Sequence, residues 1–131
     1  MTTELTILGW TLVLALVQVF IPAALRNKET GSAYNAGPRD DPGPPVGKVT
    51  GRLQRAQRNL LETLPVFAVA ILIAHVANRE GALTLWGAWL YLLARIVYVP
   101  LYAFGVPVIR SLAFQVSLVG LTILLIAILK P

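Results

Sequence analysis

Arg55, Asn59 and Glu62 are spaced i, i+4 and i+7. On a helix this stacks a cation, an amide and a carboxylate along one face. The residues after them run into an almost wholly apolar stretch, so the polar face lies where a helix enters a bilayer. Charges at that depth are costly and turn toward protein or water. A second stripe, Tyr91, Arg95, Tyr98 and Tyr102, follows i, i+4, i+7 and i+11 in another apolar run. Arg110 and Ser111 open a third. Guanidinium forks bind carboxylates two-pronged, and tyrosine adds an apolar ring with one hydroxyl. This set points to a cationic cavity for a small anion, a polycarboxylate, with Glu62 receiving an ammonium group or orienting an arginine. The plainer reading of Arg95 is a structural pair with a carboxylate or carbonyl of the neighbouring helix.

Several chemistries have no residues to run on. The chain lacks cysteine, so it has no disulfide framework, thiolate metal site or cysteine nucleophile of its own. His75 is the single histidine and cannot form a zinc cluster alone. No metal and no nucleic-acid partner is expected.

The elements that must position these groups are membrane spans. Of 131 residues 56% are hydrophobic and 13% charged, against about 25% charged in a soluble domain. Residues 5–25 carry no charge and match a hydrocarbon core of about 30 Å. They lack a basic n-region and a cleavage pattern, and so read as an anchor. Within them Gln18 is the one amide, facing a neighbour or hydrogen-bonded within the bundle. Further spans are expected at about 47–77, 82–104 and 107–129, with a kink at Pro65 and interfacial anchoring by Trp86 and Trp89. The fold class is therefore all-α, a single four-helix membrane bundle over residues 1–131. Four spans without an inverted repeat argue against a small transporter.

Residues 26–46, rich in Gly, Pro, Asn and Asp, read as a loop. It is either a solvated linker or a cap that reaches into the site through Arg39, Asp40 or Asp41. Seven of the eleven Lys/Arg fall between Arg26 and Arg58, so the positive-inside rule puts this loop in the cytoplasm and both termini outside. Arg55, Asn59, Glu62, Arg95, Tyr98, Tyr102, Arg110 and Ser111 then all fall in the cytoplasmic half of their helices, and no charge is expected in the outer half of any span.

The run Arg55-Ala56-Gln57-Arg58-Asn59-Leu60-Leu61-Glu62, with Pro65 and Phe67 after it, resembles the second-helix signature of the MAPEG family, the membrane-associated proteins in eicosanoid and glutathione metabolism. Arg95, Tyr98 and Tyr102 resemble its third-helix pattern, and Arg110-Ser111 its fourth-helix start. The Arg39-Asp40-Asp41-Pro42 loop is similar to that of bacterial members. The resemblance implies a homotrimer in a bacterial inner membrane, with glutathione bound between subunits near the cytoplasmic side. It implies glutathione contacts at Arg55, Gln57, Asn59, Glu62, Arg95, Tyr98 and Tyr102, thiol activation by Arg110, and a role for Ser111. The implied activity is that of a transferase or peroxidase on lipophilic electrophiles dissolved among membrane lipids. A non-catalytic accessory or structural subunit of a larger complex is the alternative. Phe114 stands where some members carry a tyrosine, and Thr63 where one subgroup carries an aromatic.

Overall fold

The computed structural model of the chain contains five helices. These are α1 (Thr3–Thr30), α2 (Ser32–Ala36), α3 (Lys48–Val76), α4 (Ala82–Ala103) and α5 (Pro107–Leu129). All but the five-residue α2 are long and apolar enough to cross a membrane. The loop 37–47 and the turn after α4 share one end of the bundle, here the loop end. Both chain termini and the turn between α3 and α4 form the other, the terminal end.

Each long helix stops for a local reason. Asn78 after α3 and Gly105 after α4 take left-handed φ of 54° and 71°. Arg79 N–H then returns to the Ala74 carbonyl and Val106 N–H to the Leu101 carbonyl, at 2.8 and 3.0 Å, closing carbonyls a helix end leaves open. The structure lengthens α1 beyond the expected span. Residues 26–30, expected as loop, continue the helix, because nothing breaks it before Gly31 at φ 89°. Thr30 helps by donating back to the Arg26 carbonyl at 2.9 Å. Once past the apolar run, polar side chains on a helix are merely solvated. α3 runs unbroken through Pro65.

The apolar core fills the terminal half. Ile7, Leu8, Phe67, Ile71, Leu92 and Leu124 meet there, with Leu60 at its inner edge. α4 and α5 touch backbone to backbone. A Cβ on Gly87 would lie 2.8 Å from the Gly120 carbonyl oxygen, and one on Gly120 2.7 Å from that of Gly87. Small residues allow this approach between membrane helices, where packing rather than water drives association. Thr84 hydroxyl donates to Glu4 at 2.8 Å and ties α1 to α4. Glu4, expected as part of a short polar start, is thus a buried member of the first turn of α1. It corrects the expectation that no charge enters the bundle at this end, and it is tolerated because that hydrogen bond accompanies it.

At the loop end the joint between α1 and α3 is made by Glu29, four residues past the apolar run of α1. It accepts from Gly47 N–H at 2.9 Å and from the Thr50 hydroxyl at 2.7 Å. The Gly47 bond first, and then that of Thr50, hold its carboxyl below the usual carboxylate range.

Candidate functional site

A polar cleft of about 290 Å³ opens between α3, α4 and the start of α5 on the loop side of the core. Arg55, Arg58, Asn59, Glu62, Tyr98, Tyr102 and Arg110 line it. The α3 members follow from helical spacing. Residues 55, 58, 59 and 62 are separated by three or four and fall on one stripe. α4 runs antiparallel to α3, and cross-helix bonds give their register: Thr63 with Tyr91 at 2.8 Å, Arg95 with Asn59 at 2.7 Å, and Arg55 with Tyr102 at 3.2 Å.

Tyr102 organises the mouth. The Arg55 guanidinium donates to its hydroxyl and lies 5.8 Å from its ring centroid, and the Arg110 guanidinium lies 4.7 Å from the same centroid. Two cations thus flank one aromatic ring, each held by its quadrupole. This fixes both without neutralising either, and both remain able to bind an anion.

Arg95 forms the floor and has no solvent exposure. Its Nη1 donates to Asn59 Oδ1, and its guanidinium stacks 4.3 Å from the Tyr98 centroid with Phe114 further off at 6.0 Å. Of the two structural partners expected for it, a carboxylate or a carbonyl, the structure supplies a carbonyl, that of the Asn59 side-chain amide. Glu62 is exposed and has no cationic side chain within 4.0 Å; Glu80 instead meets a ring nitrogen of His75 at 3.3 Å at the terminal end. The cleft therefore carries three guanidinium groups against one carboxylate, with a fourth cation behind Asn59.

Of the residues singled out from sequence, Arg55, Asn59, Glu62, Tyr98, Tyr102 and Arg110 line this cleft, and Arg95 lies directly beneath. Gln57 and Ser111 are not brought to it. Gln57 is two residues from Arg55, about 200° round the helix. Ser111 is exposed and donates to the Pro107 carbonyl of its own helix at 3.2 Å. Arg39, Asp40 and Asp41 stay on the surface, with Arg39 bound to the Asn35 carbonyl at 2.8 Å through Nε. In the chain as it stands the loop is a surface linker rather than a cap. Arg58 was not among the expected ligands, although its i+3 spacing from Arg55 and i−4 from Glu62 marks the same stripe.

A larger groove of about 400 Å³ lies between α1 and α4 nearer the terminal end, lined by Trp10, Leu14, Trp89 and other apolar side chains. It has no ionisable group to do chemistry. Trp86 and Trp89 are exposed near the start of α4.

The family model of the MAPEG family matches residues 6–130, nearly the whole chain. No curated protein and no solved structure matches it significantly.

Proposed function

The chain belongs to the MAPEG family, and from that premise we propose that it is an integral membrane protein whose polar cleft binds glutathione for transfer or peroxide chemistry on lipophilic substrates. The observation that carries the reading is the convergence of Arg55, Arg58 and Arg110 with one carboxylate, Glu62, in a single cleft. Glutathione carries two carboxylates, one ammonium and one thiol, a charge set complementary to it. Arginine forks suit the carboxylates, Glu62 suits the ammonium, and Tyr98 and Tyr102 offer hydroxyls.

Bound there, glutathione supplies a sulfur nucleophile for attack on an electrophile or peroxide arriving from the bilayer. A free thiol near pKa 8.5 is mostly protonated at neutral pH, and a fixed cation beside it favours the thiolate. Arg110, held on the Tyr102 ring, is the cation assigned to that task. Asn59 and Tyr98 keep Arg95 in place beneath the ligand. Gln57 and Ser111 are not needed for this reading.

Self-association into a trimer belongs to the same proposal. Glu62 and Arg58 stand exposed on a membrane helix, where contact with lipid is costly, so a neighbouring subunit covering this flank relieves them. The cleft is also small for a ligand pocket, which usually exceeds about 300 Å³, and a second subunit would enlarge it. The basic loop end faces the cytoplasm of a bacterial inner membrane in this reading, with the termini outside.

Glutathione affinity in detergent tests the reading. Arg55→Ala removes a charge-assisted contact of about 1.5–3 kcal/mol and weakens binding roughly 10- to 150-fold. Arg110→Ala leaves affinity near wild type while turnover of a model electrophile falls. If the wild type neither binds glutathione nor gains thermal stability from it, the non-catalytic accessory role takes its place.

A further inference from the structure

Five buried side-chain polar atoms lack a hydrogen-bond partner, and four belong to two residues: both amide atoms of Gln18, and Nε and Nη2 of Arg95. The two residues are 3% and 0% exposed. One helical register relates them. Thr84 bonding Glu4 sets α1 parallel to α4, which puts Gln18 level with Tyr98, about one turn from Arg95. Glu29 bonding Gly47 and Thr50 sets α1 antiparallel to α3, which puts Gln18 level with Asn59 and Leu60. Side chains lean toward the helix N-terminus, and the N-terminal ends of α1 and α4 both lie at the terminal end. Both side chains lean the same way, so an offset of about one turn separates the Gln18 amide from the Arg95 guanidinium. The buried stripe of α1, from Ile7 through Thr11 to Gln18 and Pro22, packs on α3 and α4 and not on α5.

We propose that Gln18 is a positioning residue for Arg95, acting through ordered water trapped between α1, α3 and α4. A guanidinium edge offers only donors. A water there accepts from Nε–H and Nη2–H and donates to Gln18 Oε1, which meets the two to four partners a buried water requires. Asn59 holds one side of the guanidinium directly, and Gln18 holds the other through solvent. Arg95 is then fixed from two helices besides its own, so α1, which contributes nothing to the cleft lining, governs the cation under it. The inference concerns the same site as the proposed function, but its decisive test does not need glutathione.

The test is the Nε–H signal of Arg95 in ¹⁵N-arginine-labelled protein in detergent micelles, assigned by its loss in Arg95→Met. Gln18→Met keeps side-chain length and removes both polar atoms, an apolar change that a membrane helix tolerates. The expected result is that Gln18→Met displaces or broadens the Arg95 signal, while Gln18→Glu, which keeps an acceptor, preserves a resolved one. Gln18→Met should lower the unfolding midpoint yet keep one cooperative transition, which separates local loss of coupling from unfolding. An Arg95 signal identical in wild type and Gln18→Met overturns the proposal. Where glutathione binds, Gln18→Met should weaken it roughly tenfold. Coupling seen by NMR without glutathione binding in wild type upholds the Gln18 inference and removes the proposed function alone.

Discussion

Replacing Asn59 by Leu isolates the energetics of the buried arginine. Arg95 has one hydrogen-bond partner among side chains, Asn59 Oδ1 at 2.7 Å, and one close ring, Tyr98 at 4.3 Å, with Phe114 further off at 6.0 Å. A hydrogen bond to a charged group contributes about 1.5–3 kcal/mol net, and more is forfeited when the charge stays buried. The ring contact is worth about 0.5–2 kcal/mol and survives the change. Asn59→Leu should therefore destabilise the bundle by about 1.5–3 kcal/mol. Arg95→Met alone removes the buried charge but orphans the Asn59 amide, at about 1–3 kcal/mol. In the double variant neither group is left over, and replacing a buried polar pair by apolar side chains is often neutral or stabilising. The double variant should recover most of what either single loses. Equilibrium unfolding in mixed micelles across the four proteins gives the coupling directly. A coupling below about 0.5 kcal/mol means that Arg95 is not held by Asn59, and the account of the cleft floor is then wrong.

Two other changes probe the scaffold. Gly120→Ala sets a methyl against the Gly87 carbonyl at 2.7 Å and should cost about 1–3 kcal/mol through forced separation of α4 and α5, read as a lower unfolding midpoint in the same micelles. The Glu29 clasp should depend on pH. Its folded carboxyl titrates below the unfolded one, so its contribution is fully present above the ordinary carboxylate range and is lost as pH falls through the folded value. Proteolysis of the loop 37–47 should accelerate on acidification in wild type, and Glu29→Gln should flatten that dependence; equal acid sensitivity in both proteins would rule out the clasp.

The spans and their turns were legible because hydrophobic run length reports bilayer thickness directly, and the α3 and α4 stripes were legible because both follow helical spacing. What the sequence hid depends on more than one helix. Arg55 and Arg110 sharing the ring of Tyr102 is a meeting of three helices, and no spacing within one of them encodes it. Asn59 as the partner of Arg95 was hidden because Glu62, the more obvious electrostatic partner, lies a turn away on the exposed flank. Glu4 looked like part of a solvated terminus, since nothing in its neighbours announces Thr84, eighty residues on. The helical extension to Thr30 was missed because loss of hydrophobicity marks the edge of the bilayer, which need not be the end of the helix.

The stacked rings of Phe67 and Tyr91, 4.1 Å apart and almost parallel, sit just beyond the floor of the cleft, with Leu60, Ile71 and Leu124 packed about them. They plug the bundle with apolar matter at mid-height, so the polar cleft is a blind recess that ends inside the protein, and its charged lining is confined to one end of the helices.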